Sequence, residues 1–153
     1  MARLTGPIEH QLELEPIGYQ SGNATNEWDA NWLLVRIRAK DARREWSATD
    51  PAFLTWELRS LVSWLRGLAD GERDRARAFG GIEPCLKFEA DGSGDATRLR
   101  VRFQLEFLPP TREWWNAEAK AWIDFQPGAE GLRRFADELE AELVRFPTRP
   151  GSS

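Results

Sequence analysis

Apolar and polar residues alternate with a period of two through much of this chain, and the alternation gives way to a helical repeat in two places. Between Ile8 and Tyr19, the residues Ile8, His10, Leu12 and Leu14 share one parity, with Glu9, Gln11, Glu13 and Glu15 opposite. That predicts a half-buried strand. Pro16 breaks the parity and Ile17 and Tyr19 take it over, which predicts an edge strand or a bulge. A polar loop follows. Trp32 to Lys40 predicts a second strand, with Leu33, Val35, Ile37 and Ala39 on one face and Arg36 and Arg38 on the other. A turn at Lys40-Asp41-Ala42 leads into a short third strand, Arg43 to Ala48.

The helical repeat then begins. Thr49 or Asp50 can serve as N-cap, with Pro51 at the first helical position, where a missing N–H costs nothing. Leu54, Leu58, Leu61, Leu65 and Leu68 fall on one face, and Gly71 stands where a helix would stop. The charged stretch that follows predicts a loop. Ile82 to Glu89 predicts a fourth strand, followed by a turn at Asp91-Gly92-Ser93-Gly94-Asp95. In the fifth, Leu99, Val101, Phe103, Leu105 and Phe107 alternate with Arg98, Arg100, Arg102, Gln104 and Glu106, until Pro109-Pro110 ends it. Lys120 to Phe125 predicts a sixth strand with Ala121, Ile123 and Phe125 inward. A second helix opens at Pro127 and places Leu132, Phe135, Leu139, Leu143 and Phe146 on one face.

The order is therefore β-β-β-α-β-β-β-α. Short turns between strands predict an α+β domain: a single antiparallel sheet of about six strands, with two helices packed on one face. Residues 1–147 would form one domain. Residues 148–153, rich in turn formers and without an apolar anchor after Phe146, would be a flexible tail. The uncovered sheet face would carry Arg36, Arg38, Arg98, Arg100, Arg102, Gln104 and Glu106.

Composition narrows the function classes. A chain of 153 residues with 41% hydrophobic and 30% charged positions can bury its own core and fold as one domain. The N-terminus has no signal-peptide core and no apolar run is long enough to span a membrane. A single cysteine, Cys85, cannot form an intramolecular disulfide. Together these predict a cytoplasmic protein. The net charge of −4 suits a basic protein partner and argues against nucleic acid, which needs a basic footprint. A homodimer stays open.

The search for chemistry finds little. His10 is the only histidine, so any Ser-His-Asp set or zinc site would have to use it. Its apolar-face parity predicts a structural role. Cys85 alternates with Lys87 on a strand and has no reactive-thiol motif. Gly92-Ser93-Gly94 lies between two strands, so it predicts a hairpin turn and not a phosphate loop. Carboxylates such as Asp29, Asp50 and Asp124 could hold a divalent ion and make a hydrolase or nuclease. Asp50 already has an explanation as a helix cap. The arginine face could bind a ligand or RNA. Equally it could be a solvated face whose arginines pair with Glu13, Glu15, Glu106 and Asp124, a reading the acidic balance supports. No nucleophile, base and orienter come together in the sequence, which predicts a non-catalytic protein with no metal and no cofactor.

The tryptophans carry the remaining signal. The chain has eight. Trp46, Trp56 and Trp64 lie in or beside predicted helix one, where they would pack. Trp28, Trp114 and Trp115 lie in polar loops, where exposed aromatics serve as binding anchors. Glu27 and Asp29 flank Trp28. The predicted partner-binding residues are therefore Glu27, Trp28, Asp29, Trp114 and Trp115.

Several segments in order resemble a known family. They are Gly18-Tyr19-Gln20, Trp28-Asp29-Ala30-Asn31-Trp32-Leu33, Trp46-Ser47-Ala48-Thr49-Asp50-Pro51 and Leu54-Thr55-Trp56-Glu57. Glu106-Phe107 with Pro109, and the closing Leu143, Arg145, Phe146 and Pro147, complete the set. This pattern is similar to that of the WapI family immunity proteins. The resemblance implies a bacterial, non-catalytic protein that binds and blocks the C-terminal toxin domain of a contact-delivered protein, a nuclease-type toxin. It assigns no contact residues. An acidic chain would be steered to a basic nuclease and could mask it. Acids available for that are Glu27 and Asp29, and Glu130, Asp137, Glu138, Glu140 and Glu142 on the second helix.

Overall fold

The computed structural model describes residues 1–6, 9–22, 26–72, 76–110 and 118–150. The strands are β1 (Ala2–Thr5), β2 (Gln11–Tyr19), β3 (Trp32–Lys40), β4 (Glu45–Leu54), β5 (Ala78–Gly80), β6 (Leu86–Asp91), β7 (Arg98–Gln104) and β8 (Lys120–Phe125). The helices are α1 (Glu27–Asn31), α2 (Thr55–Ala69) and α3 (Gly128–Leu143), and 3-10 turns occupy Gly94–Ala96 and Leu105–Phe107.

The expected single sheet is replaced by two. One four-stranded sheet has the order β1-β2-β3-β4 and the other β5-β6-β7-β8. Every pairing is antiparallel and joins neighbours in sequence. Each half of the chain therefore closes its own meander, with α2 between them. The expected pair of helices also becomes three, because the loop around Trp28 contains a short helix. Two edge strands, β1 and β5, are too short for alternation to reveal them.

Local corrections follow the same logic. Thr49, Asp50 and Pro51 do not start a helix, because β4 runs through them to Leu54. Pro51 lies on an edge strand, where sheets tolerate proline. The register slips beside it, from Leu33↔Phe53 to Leu34↔Pro51, leaving Ala52 as the extra residue of a bulge. The start of α2 is set by Glu57, whose Oε1 accepts the Leu54 N–H at 2.9 Å. Leu58, Leu61, Leu65 and Leu68 then face inward, each fully buried. Such burial stabilises by roughly 1.5–3 kcal/mol per side chain. Gly71 ends the helix at φ 78°, a left-handed conformation that glycine adopts without a Cβ penalty.

In β2, Pro16 is buried and the ladder bulges at Ile17, which turns to solvent instead of inward. The segment around Ile82 is not strand, and Ile82 is 60% exposed. The fifth strand ends at Gln104, because Leu105 takes a positive φ of 54° and swings outward. By contrast β8 spans Lys120–Phe125 with Ala121, Ile123 and Phe125 buried, as alternation predicts.

One hydrophobic core draws on both sheets and on α2 and α3. Trp46 of β4 meets Phe103 of β7 edge-to-face at 5.2 Å, and its indole N–H donates to the Phe107 carbonyl at 2.9 Å. Trp64 of α2 packs on Phe79 and Phe88, and Phe88 on Phe135 of α3. No described helix is long and apolar enough to cross a membrane.

Candidate functional site

The loop before β3 is held open by local chemistry. Asn26 caps α1: its Oδ1 accepts the Asp29 N–H at 2.8 Å and its Nδ2 donates to Asp29 Oδ2 at 2.8 Å. This leaves Glu27, Trp28 and Asp29 exposed on one turn while Ala30 and Asn31 point inward. Trp28 is 52% exposed, and the edge of one indole meets the face of the other where it touches Trp56, at 5.3 Å between centroids. An amphipathic ring held against another ring has little side-chain entropy to lose on binding. Trp114 and Trp115 lie outside the described residues.

Beneath this turn is a polar hub that the sequence did not announce. Asn31 is fully buried. Its Nδ2 donates to the carbonyls of Glu27 and Arg149, and its Oδ1 accepts from Thr55 Oγ1 and the Arg149 N–H. The Arg149 guanidinium donates to the carbonyls of Ala30 and Ser21 and lies over the Tyr19 ring at 3.6 Å. Thr148 Oγ1 lies 3.1 Å from Thr55 Oγ1 and accepts from Arg59 at 3.2 Å. The first residues of the expected tail thus tie α1 to α2. The signal available in the sequence was an asparagine between two tryptophans, where a polar amide must find partners.

The other candidates separate. Asp29 lies on α1, Asp50 on β4 and Asp124 on β8, where it pairs with Arg100 at 2.8 Å. Among the described residues no three His, Cys, Asp or Glu side chains are grouped to hold a metal. His10 donates its Nδ1–H to the Asp124 carbonyl at 2.7 Å, with its ring against Phe125. Cys85 is buried, and desolvation, with Asp50, Glu106 and Glu83 nearby, pushes its thiol up to about 12. Such a thiol is a poor nucleophile.

The arginine face does not exist as one surface. Arg36 and Arg38 belong to the first sheet and Arg98, Arg100 and Arg102 to the second. Arg36 pairs with Glu15 and Arg100 with Asp124. Glu13 pairs with Arg3. A cleft of about 390 Å³ is lined by Arg98 and Arg100, but also by Glu89, Asp91 and Asp124. Its mixed charge gives no anion site. Trp122, 40% exposed, lies beneath the Arg100 guanidinium, outside that lining.

The acids of α3 are largely occupied. Asp137 and Glu140 bind Arg66, Glu130 faces Arg134, and Glu142 meets Arg145 and the N-terminal amine. No described cation pairs with Glu27, Asp50, Glu83 or Glu106. The last three come from segments far apart in the sequence, on β4, before β6 and on the turn after β7. Burial, then Glu106 and Glu83, hold the Asp50 carboxyl above the usual carboxylate range.

The family model described as Immunity protein WapI-like family matches residues 3–147. No curated protein and no solved structure matches the chain.

Proposed function

The chain belongs to the WapI-like immunity protein family, and on that premise we propose that it neutralises a nuclease-type toxin domain by binding it one to one, without chemistry of its own. The observation that carries this reading is the family match over nearly the whole fold. The geometry around Trp28 supports it: an exposed indole braced by Trp56 and flanked by the carboxylates of Glu27 and Asp29. Aromatic anchors supply much of the energy of protein interfaces, and acids beside them steer a basic partner. The partner meets this chain in the cytoplasm of the cell into which it is delivered.

The test starts at the neighbouring genes, where a large secreted protein with a variable C-terminal domain is expected, and expresses that domain. Alone it should be toxic. Co-expressed with this chain it should be harmless and elute as a one-to-one complex. Trp28→Ala should weaken the complex by about 30-fold or more, and Glu27→Gln with Asp29→Asn should slow association and flatten its salt dependence. A domain that is neither toxic nor bound overturns the reading.

A further inference from the structure

Two other large apolar side chains stand in solvent, and each adjoins an acid that no described cation pairs. Ile82 is 60% exposed and Leu105 39%. Their placement is fixed. Glu57 holds the Leu54 N–H with Oε1 and the Ile82 N–H with Oε2, at 2.9 and 2.8 Å, so the Ile82 loop is clamped to the first turn of α2. Trp56, the residue before Glu57, carries the Trp28 contact. The Gln104 N–H donates to the Cys85 carbonyl at 3.0 Å, which brings the Leu105 turn alongside the same loop. Trp28, Ile82 and Leu105 are thus linked through a ring contact, the Trp56–Glu57 peptide and two hydrogen bonds.

Charge identifies the occupant. Glu83 and Glu106 stand on either side of the Gln104–Cys85 hydrogen bond, Asp50 lies on β4, which packs on the Leu105–Phe107 turn, and no described cation pairs with any of the three. Elsewhere this fold pairs its acids with arginines: Asp137 and Glu140 with Arg66, Glu15 with Arg36, Asp124 with Arg100. Apolar side chains exposed among carboxylates that no described cation pairs suit a protein surface that brings both apolar contact and positive charge. RNA and anionic lipid would be repelled.

Resting on the toxin-binding reading, we propose that the interface extends from Trp28 across the start of α2 to Ile82 and Leu105, with Asp50, Glu83 and Glu106 facing a basic face of the bound domain. Its edge strand and loops are braced beforehand, so little ordering is required on association.

The experiment measures binding of that same purified C-terminal domain to the full chain by surface plasmon resonance over a range of ionic strength. Ile82→Arg should weaken the complex by about 30-fold, mainly through faster dissociation. Glu83→Arg with Glu106→Arg should slow association about tenfold at low salt and flatten the salt dependence. Glu130→Arg, an equal change of charge per site on α3, should leave affinity within about twofold. Melting curves of Ile82→Arg and Glu130→Arg should match the parent, since both positions are exposed, and the double reversal, which removes the repulsion on Asp50, should melt no lower than the parent. If Trp28→Ala weakens binding while Ile82→Arg and the double reversal do not, the extension is wrong and the toxin-binding reading stands. If Glu130→Arg weakens binding as much as the reversals, net charge and not this surface is responsible, and the proposal fails. If the parent chain does not bind, both fall together.

Discussion

Asn31 and Arg149 exchange a reciprocal pair of hydrogen bonds: the Arg149 N–H donates to Asn31 Oδ1 at 2.8 Å, and Asn31 Nδ2 donates to the Arg149 carbonyl at 2.7 Å. A side-chain amide here takes the part of a neighbouring strand's peptide group. With Thr55 and Glu27 as its other partners, it fixes the turn that presents Trp28. Preorganisation of the exposed indole therefore depends on a contact with the far end of the chain.

Replacing Asn31 with Ala should cost about 2–4 kcal/mol, because several buried donors and acceptors lose their partner at once. Urea denaturation followed by tryptophan fluorescence measures this. Arg149→Ala should cost less, since its carbonyl partners can take up water. A loss below about half a kcal/mol for Asn31→Ala would mean the hub contributes nothing to the fold.

The core makes a second prediction. Leu61 of α2 and Phe103 of β7 are both fully buried. Leu61→Ala and Phe103→Ala should each cost roughly 2–5 kcal/mol, from lost transfer energy and the cavity left behind. Phe103 also carries the Trp46 contact that joins the two sheets, so its loss should blue-shift or broaden the near-ultraviolet signal of Trp46. Unchanged denaturation midpoints would refute the shared core.

Asp50 gives a pH dependence with a definite sign. Burial first, then Glu106 and Glu83, raise its carboxyl above the usual range. The folded protein thus holds this proton more tightly than the unfolded chain. The resulting stability is present below the unfolded value and is lost as pH rises through the folded one. Asp50→Asn removes the penalty. Relative to the parent, it should be more stable at neutral pH than in acid, as read from denaturation midpoints across the carboxylate range and just above it. A difference that is flat with pH would contradict the raised carboxyl.

The sequence alone determined the elements whose period and burial coincide. The alternation of β7 and β8, the inward leucines of α2 and the apolar face of α3 follow from a repeat of two or of 3.6, which any buried face must obey. It also marked the Asn26–Asn31 turn as unusual, through Glu27, Trp28 and Asp29. The tertiary structure decided what the repeats cannot express. Alternation says that a strand has an inner face, not which strand lies beside it, so one sheet and two sheets have the same signature. Pro51 looks like a helix start until an edge position tolerates it in β4. Asn31 finds Arg149 across 118 positions, and Asp50 finds Glu83 and Glu106 only where β4 packs on the Leu105–Phe107 turn. These pairings depend on contacts between segments that share no local pattern, and such contacts exist only once the chain has closed on itself.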